Sequence, residues 1–368
     1  MQSLDEKEWK QLSAFGEGAP LCIETTSSSI DGIRLIDGEE KRVPYITRSD
    51  SNNGLARFVD ARNYQFGSDD GGCITVGLDT QTAFYQSHKF VTGQNVQVIT
   101  GEQLNEDVAQ FLVPILRQQM TAKFNWGGNG ATLGRMKRLS IMLPVDDAEG
   151  PDYEYMAEYT RQKRGTMLDK YRKYAEARVA ELGELVEIPV LGEKEWKPFS
   201  IVELFPKIIP GRGKGLNHLS KVNTGGVNYI GATNRNNGVL CYVEEDDYSR
   251  PMILDGNCIG FIKNGDGSAG FAIYKAEKFI STSDVLYGYA DWLNRFTGIF
   301  FVTAQDMIEH KYSHGYKRNK EHLAGDKVML PIDDFGKPDY AYMEQYAKNM
   351  MLRKYQQYLG YVERNLHG

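Results

Sequence analysis

Apolar and polar residues alternate in short runs through most of the chain and change to a longer period only twice. Runs at 42–47, Cys73–Gly77 and 96–99 read as strands, separated by turns such as Asn52-Asn53-Gly54 and the stretch 69–72. From 105 to 121, Val108, Phe111, Leu112, Ile115 and Leu116 recur at helical spacing, which predicts a helix. The plan then starts again. Val227–Ile230 and Cys258–Ile262 read as strands, Asn236-Asn237-Gly238 as a turn, and 289–301 occupies the helix slot. The long-period stretches are 152–182 and 339 onward. Met156, Tyr159, Met167, Tyr171, Ala175 and Val179 trace one stripe, and Met343, Tyr346, Met350, Tyr355, Tyr358 and Val362 trace another. Asp152 and Asp339, each just after a proline, suit helix N-cap positions.

The restart is literal. Lys7-Glu8-Trp9-Lys10 returns as Lys194-Glu195-Trp196-Lys197, and Ile141-Met142-Leu143-Pro144 returns as Val328-Met329-Leu330-Pro331, both displaced by 187 residues. Pro151-Asp152-Tyr153-Glu154-Tyr155-Met156 returns as Pro338-Asp339-Tyr340-Ala341-Tyr342-Met343 at the same displacement. A unit this large, present twice, is a tandem duplication and not a solenoid array. The expected fold is α+β, with mixed sheet-plus-helix domains at 1–150 and 187–337 separated by long helices at 151–186 and 338–368. The arrangement expected is pseudo-two-fold, with the two narrow stripes packed on each other as an antiparallel helix pair. A helix of roughly 28 residues spans about 42 Å, close to one turn of B-DNA, about 34–36 Å.

Composition narrows the class. Hydrophobic residues make up 41% and charged residues 25%, ordinary for a soluble protein. No apolar run approaches the roughly 20 residues that span a bilayer, and Met1 to Lys10 is polar, so a cytoplasmic protein with no membrane partner is expected. Cys22, Cys73, Cys241 and Cys258 show no CxxC spacing, and the six histidines form no HExxH, so no metal site is expected. Cys73 and Cys258 sit in short apolar runs and read as buried strand cysteines. A net charge of −6 argues against an autonomous nonspecific DNA binder, while permitting local positive surfaces.

Candidate chemistry is sparse. Gly211-Arg212-Gly213-Lys214-Gly215 lacks the spacing of a phosphate loop and reads better as a basic loop touching a polyanion. Pro151-Asp152 followed by Glu195-Trp196-Lys197 imitates the PD-(D/E)xK pattern of nucleases, but Asp152 opens a helix and the second copy supplies no ExK. Two other features point to nucleic acid. Tyr45-Ile46-Thr47-Arg48-Ser49-Asp50-Ser51-Asn52-Asn53-Gly54 aligns with Tyr229-Ile230-Gly231-Ala232-Thr233-Asn234-Arg235-Asn236-Asn237-Gly238. Arg and Asn side chains read base edges bidentately, and Ser or Thr hydroxyls reach bases or phosphates. Lys123-Phe124-Asn125-Trp126 with Arg135 matches Lys311-Tyr312-Ser313-His314-Gly315-Tyr316-Lys317-Arg318, basic residues interleaved with aromatics. The candidate DNA contacts are therefore Thr47, Arg48, Ser49, Asn52, Arg57, Lys123, Asn125, Trp126 and Arg135 in the first half. In the second they are Thr233, Asn234, Arg235, Asn236, Lys263, Asn264, Lys311, Ser313, His314, Tyr316, Lys317 and Arg318. No catalytic residue is expected.

On the Glu195-Trp196-Lys197-Pro198-Phe199 segment, the 229–238 loop and the twice-written Met-Leu-Pro-(Val/Ile)-Asp-Asp and Pro-Asp-Tyr-x-Tyr-Met blocks, the chain resembles the specificity (S) subunits of Type I restriction–modification systems. Within that family it resembles the small S subunits of Type IIB, BcgI-like enzymes. The first half departs from the family, with Thr47-Arg48-Ser49-Asp50 where the second has Gly-Ala-Thr-Asn. The resemblance implies two target-recognition domains, each reading half of a split DNA sequence, held apart by antiparallel helices. It also implies docking of DNA adenine methyltransferase or fused nuclease–methyltransferase subunits, with Tyr153, Tyr155, Tyr159, Tyr340, Tyr342 and Tyr346 as candidate contacts. Those partners would bring S-adenosylmethionine and Mg2+. The competing expectations are a standalone PD-(D/E)xK-like nuclease, and a protein outside restriction that occupies a methyltransferase.

Overall fold

The computed structural model describes residues 2–16, 18–124, 130–265, 267–313 and 315–366, and divides into two units, Met1–Tyr171 and Arg172–Gly368. The first half runs β1 (Trp9–Ser13), β2 (Cys22–Thr25), β3 (Lys41–Ile46), β4 (Leu55–Asp60), β5 (Cys73–Gly77), β6 (Thr82–Gln86), β7 (Val91–Thr92), β8 (Val96–Thr100), α1 (Glu106–Lys123), α2 (Leu133–Met136), β9 (Ser140–Pro144) and α3 (Tyr153–Leu182). The second half runs β10 (Trp196–Ser200), α4 (Ile201–Leu204), β11 (Lys207–Pro210), β12 (Lys221–Val222), β13 (Val227–Ile230), β14 (Val239–Val243), β15 (Cys258–Ile262), β16 (Ala272–Lys275), β17 (Phe279–Ser281), β18 (Val285–Tyr289), α5 (Arg295–Asp306), α6 (Lys320–Gly325), β19 (Lys327–Pro331) and α7 (Tyr340–Leu366).

Each half builds its main core the same way. A four-stranded sheet, β2-β8-β5-β6 in the first and β11-β18-β15-β16 in the second, carries a central strand buried at every position, β5 and β15. Such continuously apolar strands are what a sheet covered on both faces requires. In the first half α1 lays Val108, Leu112, Leu116 and Met120 over Ile74, Val76 and Ile99. Each fully buried side chain of this kind contributes about 1.5–3 kcal/mol. Asn105 starts α1 by accepting the Val108 amide at 3.0 Å. The second helix starts later than its sequence pattern suggests. Tyr289 is still the last residue of β18, paired with Lys207, and α5 begins only after Asn294. Asn294 accepts the amides of Phe296 (2.8 Å) and Thr297 (3.0 Å), while Thr297 accepts the Asn294 amide at 2.9 Å, a reciprocal cap.

The duplication extends to individual hydrogen bonds. Trp9 pairs with Pro144 across β1–β9, and Trp196 with Pro331 across β10–β19, so the entering and leaving strands of each half form an antiparallel ribbon. The Trp9 indole donates to the Leu4 carbonyl (2.9 Å) and the Trp196 indole to the Leu191 carbonyl (3.0 Å). Tyr45 donates to the Ile30 carbonyl and Tyr229 to the Lys214 carbonyl, both at 2.8 Å. The glycines of 211–215 gain a structural reason here. A Cβ on Gly211 would lie 2.1 Å from the Thr282 carbonyl oxygen and one on Gly213 2.8 Å from that of Ser281, so the loop crosses the sheet backbone-to-backbone. Cys73 and Cys258 are buried strand residues, and burial pushes both thiols up to about 12.

The long helices begin as their sequence suggests. Asp152 accepts the Tyr155 amide and Asp339 the Tyr342 amide, each at 2.9 Å. The same carboxylates bind Lys7 (2.6 Å) and Lys194 (2.8 Å). Burial works against the Asp152 carboxylate, but Lys7 and the Tyr155 amide outweigh it and hold its pKa below the ordinary aspartate value. The single stripe expected on each helix is corrected: it splits. Met156 and Tyr159 pack on the first core, and Met343 and Tyr346 on the second. Met167 is 70% exposed. Within the second unit, helix meets helix farther on. The Tyr174 ring stands edge-on to Tyr355, centroids 6.0 Å apart, and Val186 exchanges hydrogen bonds with the Asn349 side chain at 3.2 and 2.7 Å. As the chain advances from 174 to 186 its contacts on α7 recede from 355 to 349, which is an antiparallel course. Among the described residues, no helix is long and apolar enough to cross a membrane.

Candidate nucleic-acid interface

In the first half, four loops meet at one end of the sheet. Arg48 forms an ion pair with Asp79 at 2.8 Å, and the Thr80 hydroxyl donates to the Arg48 carbonyl at 2.7 Å. Asn95 donates to the same Asp79 carboxylate at 3.1 Å, the Leu78 amide donates to the Asn95 carbonyl, and the Ala131 amide donates to the Leu78 carbonyl. The β3–β4 loop carrying Thr47, Ser49 and Asn52 is thereby tied to the β5–β6 turn and the segment leading to Arg135. The Arg135 guanidinium donates to the Gly130 carbonyl at 3.0 Å. Asp79, Thr80 and Asn95 escape the sequence reading, although Leu78-Asp79-Thr80 between two strands carries the signal of a hairpin turn.

The second half gathers equivalent loops. Ser268 donates to Asn234 at 3.0 Å, the Lys263 amide to the Asp284 carbonyl at 2.9 Å, and the Arg318 amide to the Lys263 carbonyl at 2.9 Å. Thr233, Arg235, Asn236, Lys263, Asn264, Lys311, Ser313, Tyr316 and Lys317 therefore occupy segments joined to one another. Arg235 differs from Arg48. Its side chain is exposed and has no ion pair or hydrogen bond among the described residues. Backbone geometry accounts for part of the asparagine content. Asn52, Asn53, Asn236 and Asn237 all have φ between 48° and 57°, the left-handed region that asparagine tolerates best among side-chain residues. Asn53 and Asn237 then donate to the carbonyls of Tyr85 and Tyr274, both at 2.9 Å, which pins each loop to its sheet.

Several expected contacts need correction. Arg318 has no exposed surface: its guanidinium donates to Asp326 (2.8 Å), to the Gly270 carbonyl (3.0 Å) and to Gln305, between the rings of Phe261 and Tyr312. It is a core residue, because an oppositely charged partner meets it inside the fold. Tyr155 and Tyr342 are buried in their own cores and donate to the Gln2 and Pro189 carbonyls at 3.3 and 2.9 Å. They anchor their helices in their own domains and keep little exposed surface. Tyr153, Tyr159, Tyr340 and Tyr346 are half-buried against the same cores. Arg57 lies on β4, where it reaches the Gly32 carbonyl at 3.3 Å and, among the described residues, joins none of the four loops by a hydrogen bond. Lys123 is exposed at the end of α1. Asn125, Trp126 and His314 lie outside the described residues.

The nuclease-like motif does not assemble chemistry. Asp152 is committed to its helix cap and to Lys7, and the second half repeats that clamp with Lys194 and Asp339 where no ExK follows. Glu195 and Lys197 form an exposed pair 3.8 Å apart. Among the described residues, no group of three or more His, Cys, Asp or Glu could hold a metal.

Known proteins align with both halves. The family model for the Type I restriction modification DNA specificity domain matches residues 35–167 and again 193–358. The Type II restriction enzyme BgcI specificity subunit S.BcgI of Heyndrickxia coagulans is 28% identical over 329 residues, covering 86% of this chain and 90% of that one. The fold is also that of the Type-I restriction-modification system S subunit from M. genitalium, with a TM-score of 0.53 over 100% of this chain and 96% of that one, at 13% identity. Two matched copies fall on the two repeats that the paired hydrogen bonds define, and the chain belongs to the Type I restriction–modification DNA specificity family, carrying its domain twice.

Proposed function

We propose that this specificity subunit reads a bipartite DNA sequence, one half-site per domain, and performs no chemistry itself. The observation that carries the reading is a frame whose strand ribbons, indole and tyrosine hydrogen bonds and helix caps recur in both halves beneath loops of different sequence. Equal frames present their loops alike, and unequal loops suit unlike half-sites. Thr47, Arg48, Ser49, Asn52, Lys123 and Arg135 serve the first domain. Thr233, Asn234, Arg235, Asn236, Lys263, Asn264, Lys311, Ser313, Tyr316 and Lys317 serve the second. Arg and Asn address base edges, and Lys with hydroxyl groups addresses phosphates. A chain of net charge −6 needs such local cation clusters to approach DNA at all.

The long helices act as a spacer and present the chain to DNA adenine methyltransferase or fused nuclease–methyltransferase subunits. S-adenosylmethionine and Mg2+ belong to those partners. At 1.5 Å per residue, the 30 residues of α3 extend about 45 Å, enough to set half-sites about one helical turn apart. The test is sequencing of methylated bases in cells that express the chain with its methyltransferase. One motif with two unlike halves and a fixed gap is expected, and four residues added to both helices should lengthen that gap. A contiguous motif, or a gap indifferent to the insertion, overturns the proposal.

A further inference from the structure

Beneath the Lys311–Lys317 strip of the second domain lies a buried polar network. Asp326 accepts the Tyr312 hydroxyl and Arg318 Nε, each at 2.8 Å, and its other oxygen stands 3.6 Å from the Lys311 ammonium. Arg318 Nη2 lies 2.8 Å from the same Asp326 oxygen, out of line for a second hydrogen bond. Arg318 Nη1 reaches Gly270 and Gln305, and Gln305 donates to the Gly270 carbonyl at 3.1 Å. The guanidinium centre is 5.1 Å from the Phe261 ring centroid and 5.4 Å from that of Tyr312. Outside this network, Ser313 and Tyr316 close a tight turn through hydrogen bonds of 3.0 and 3.3 Å, and Tyr316 stacks on His322 at 4.5 Å.

The fold does not require this network. Displaced by 187 residues, Arg318 and Asp326 correspond to Ala131 and Leu139. Gln305 follows Phe300, the ring stacked on Trp196, as Leu116 follows Phe111, the ring stacked on Trp9. Leu116, Ala131 and Leu139 are all buried and apolar. One scaffold thus accepts either filling. A buried ion pair gives little net stability over an apolar equivalent of similar volume. What it adds is direction, because a planar guanidinium with fixed donors accepts one arrangement of its partners where apolar contact accepts several.

We infer that Arg318, with Asp326 and Gln305, is a positioning set that orients Ser313, Tyr316 and Lys317 for the half-site read by the second domain. The inference rests on the DNA-reading function proposed above. Arg318 touches no DNA; it acts through the strip it holds. Single removal of one partner strands a buried charge, so the decisive variant is Gln305→Leu/Arg318→Met/Asp326→Leu, which imitates the apolar filling of the first domain.

The full chain, assembled with its methyltransferase, is titrated against duplexes mismatched in either half-site, beside a melting curve. The expected triple variant stays folded, its melting point lowered by no more than the loss of the Tyr312–Asp326 hydrogen bond accounts for, and loses at least tenfold of its discrimination in one half-site only. Arg318→Lys, which keeps the charge and gives up the planar fork, should fall between the two. Unchanged discrimination in either variant, or an equal loss in both half-sites, overturns the inference. A wild-type complex indifferent to sequence overturns the DNA-reading function, and this inference with it.

Discussion

The two domains share a frame and differ in what fills it. At three matching buried positions the first domain has Leu116, Ala131 and Leu139, while the second has Gln305, Arg318 and Asp326. At the loop tips the difference reverses. Arg48 is held by Asp79 and Arg117 by Asp50 (2.6 Å), whereas Arg235 is unpaired among the described residues. Among the described residues, the first domain pairs its loop-tip arginine and keeps these three buried positions apolar; the second buries an ion pair and leaves its loop-tip arginine unpaired. Frame positions are thus set by packing, and filling positions are open to variation as long as volume and polarity are satisfied together.

The largest expected effect comes from unbalancing the second domain's filling. Asp326→Leu alone should destabilise the chain by about 3–5 kcal/mol, because Arg318 is left buried without its counter-ion. Urea denaturation measures it, and restoration of most of the loss by adding Arg318→Met and Gln305→Leu would show the two fillings to be interchangeable. A next effect separates the loop tips. Arg235→Ala should weaken cognate binding by about 1–3 kcal/mol and relax one base position. Arg48→Ala should do less, since its charge is already engaged by Asp79. Equal effects in a binding titration would erase the distinction drawn between them.

Asp306 gives a pH-dependent probe. It follows Gln305 as Arg117 follows Leu116, and burial pushes its carboxyl up to about 6 despite the opposing hydrogen bond from the Ala272 amide (2.9 Å). The folded form then binds this proton more tightly than the unfolded chain, whose aspartates titrate near about 4. Its contribution to stability is fullest below that value and declines as pH rises to about 6. Asp306→Asn keeps an acceptor for Ala272 and does not titrate. Relative to it, wild type should lose at most about 1.4 kcal/mol per pH unit across that window, less in practice because the group is partly exposed. Parallel melting curves across that range would contradict the assignment. The smallest effect concerns the shared frame. Asp152→Ala and Asp339→Ala should each cost about 1 kcal/mol from the lost cap, by nearly the same amount, as twin Lys–Asp clamps require.

Much of the frame was legible beforehand. Cys73–Gly77, Val227–Ile230 and Cys258–Ile262 are strands at the positions their patterns indicate, because continuous apolar runs between turn residues leave few alternatives. Asp152 and Asp339 cap their helices for equally local reasons. The misjudged features depend on partners distant in sequence. Arg318 reads as a surface cation until Asp326 and Gln305, eight and 13 residues away, enclose it. Met167 reads as part of an apolar seam because periodicity specifies a stripe and not what covers it. Tyr174, which meets Tyr355, and Asn349, which binds Val186, fall off the predicted stripes, whereas Tyr355 lies on its own. Within the candidate interface, the Asn-rich loops were recognisable. Asp79 and Asn95, which brace the first of them, carry no signal beyond that of an ordinary turn.

The ribbons β1–β9 and β10–β19 have a further consequence. Each domain is entered and left through two strands lying side by side, with Trp9 opposite Pro144 and Trp196 opposite Pro331. A module with adjacent doorways can be excised and replaced by another of the same gauge without disturbing its surroundings. New ends could likewise be opened at a surface turn and the old ones joined across the doorway. Exchange of whole recognition modules, more than gradual change within one, is the economical path by which such a chain would acquire a different target.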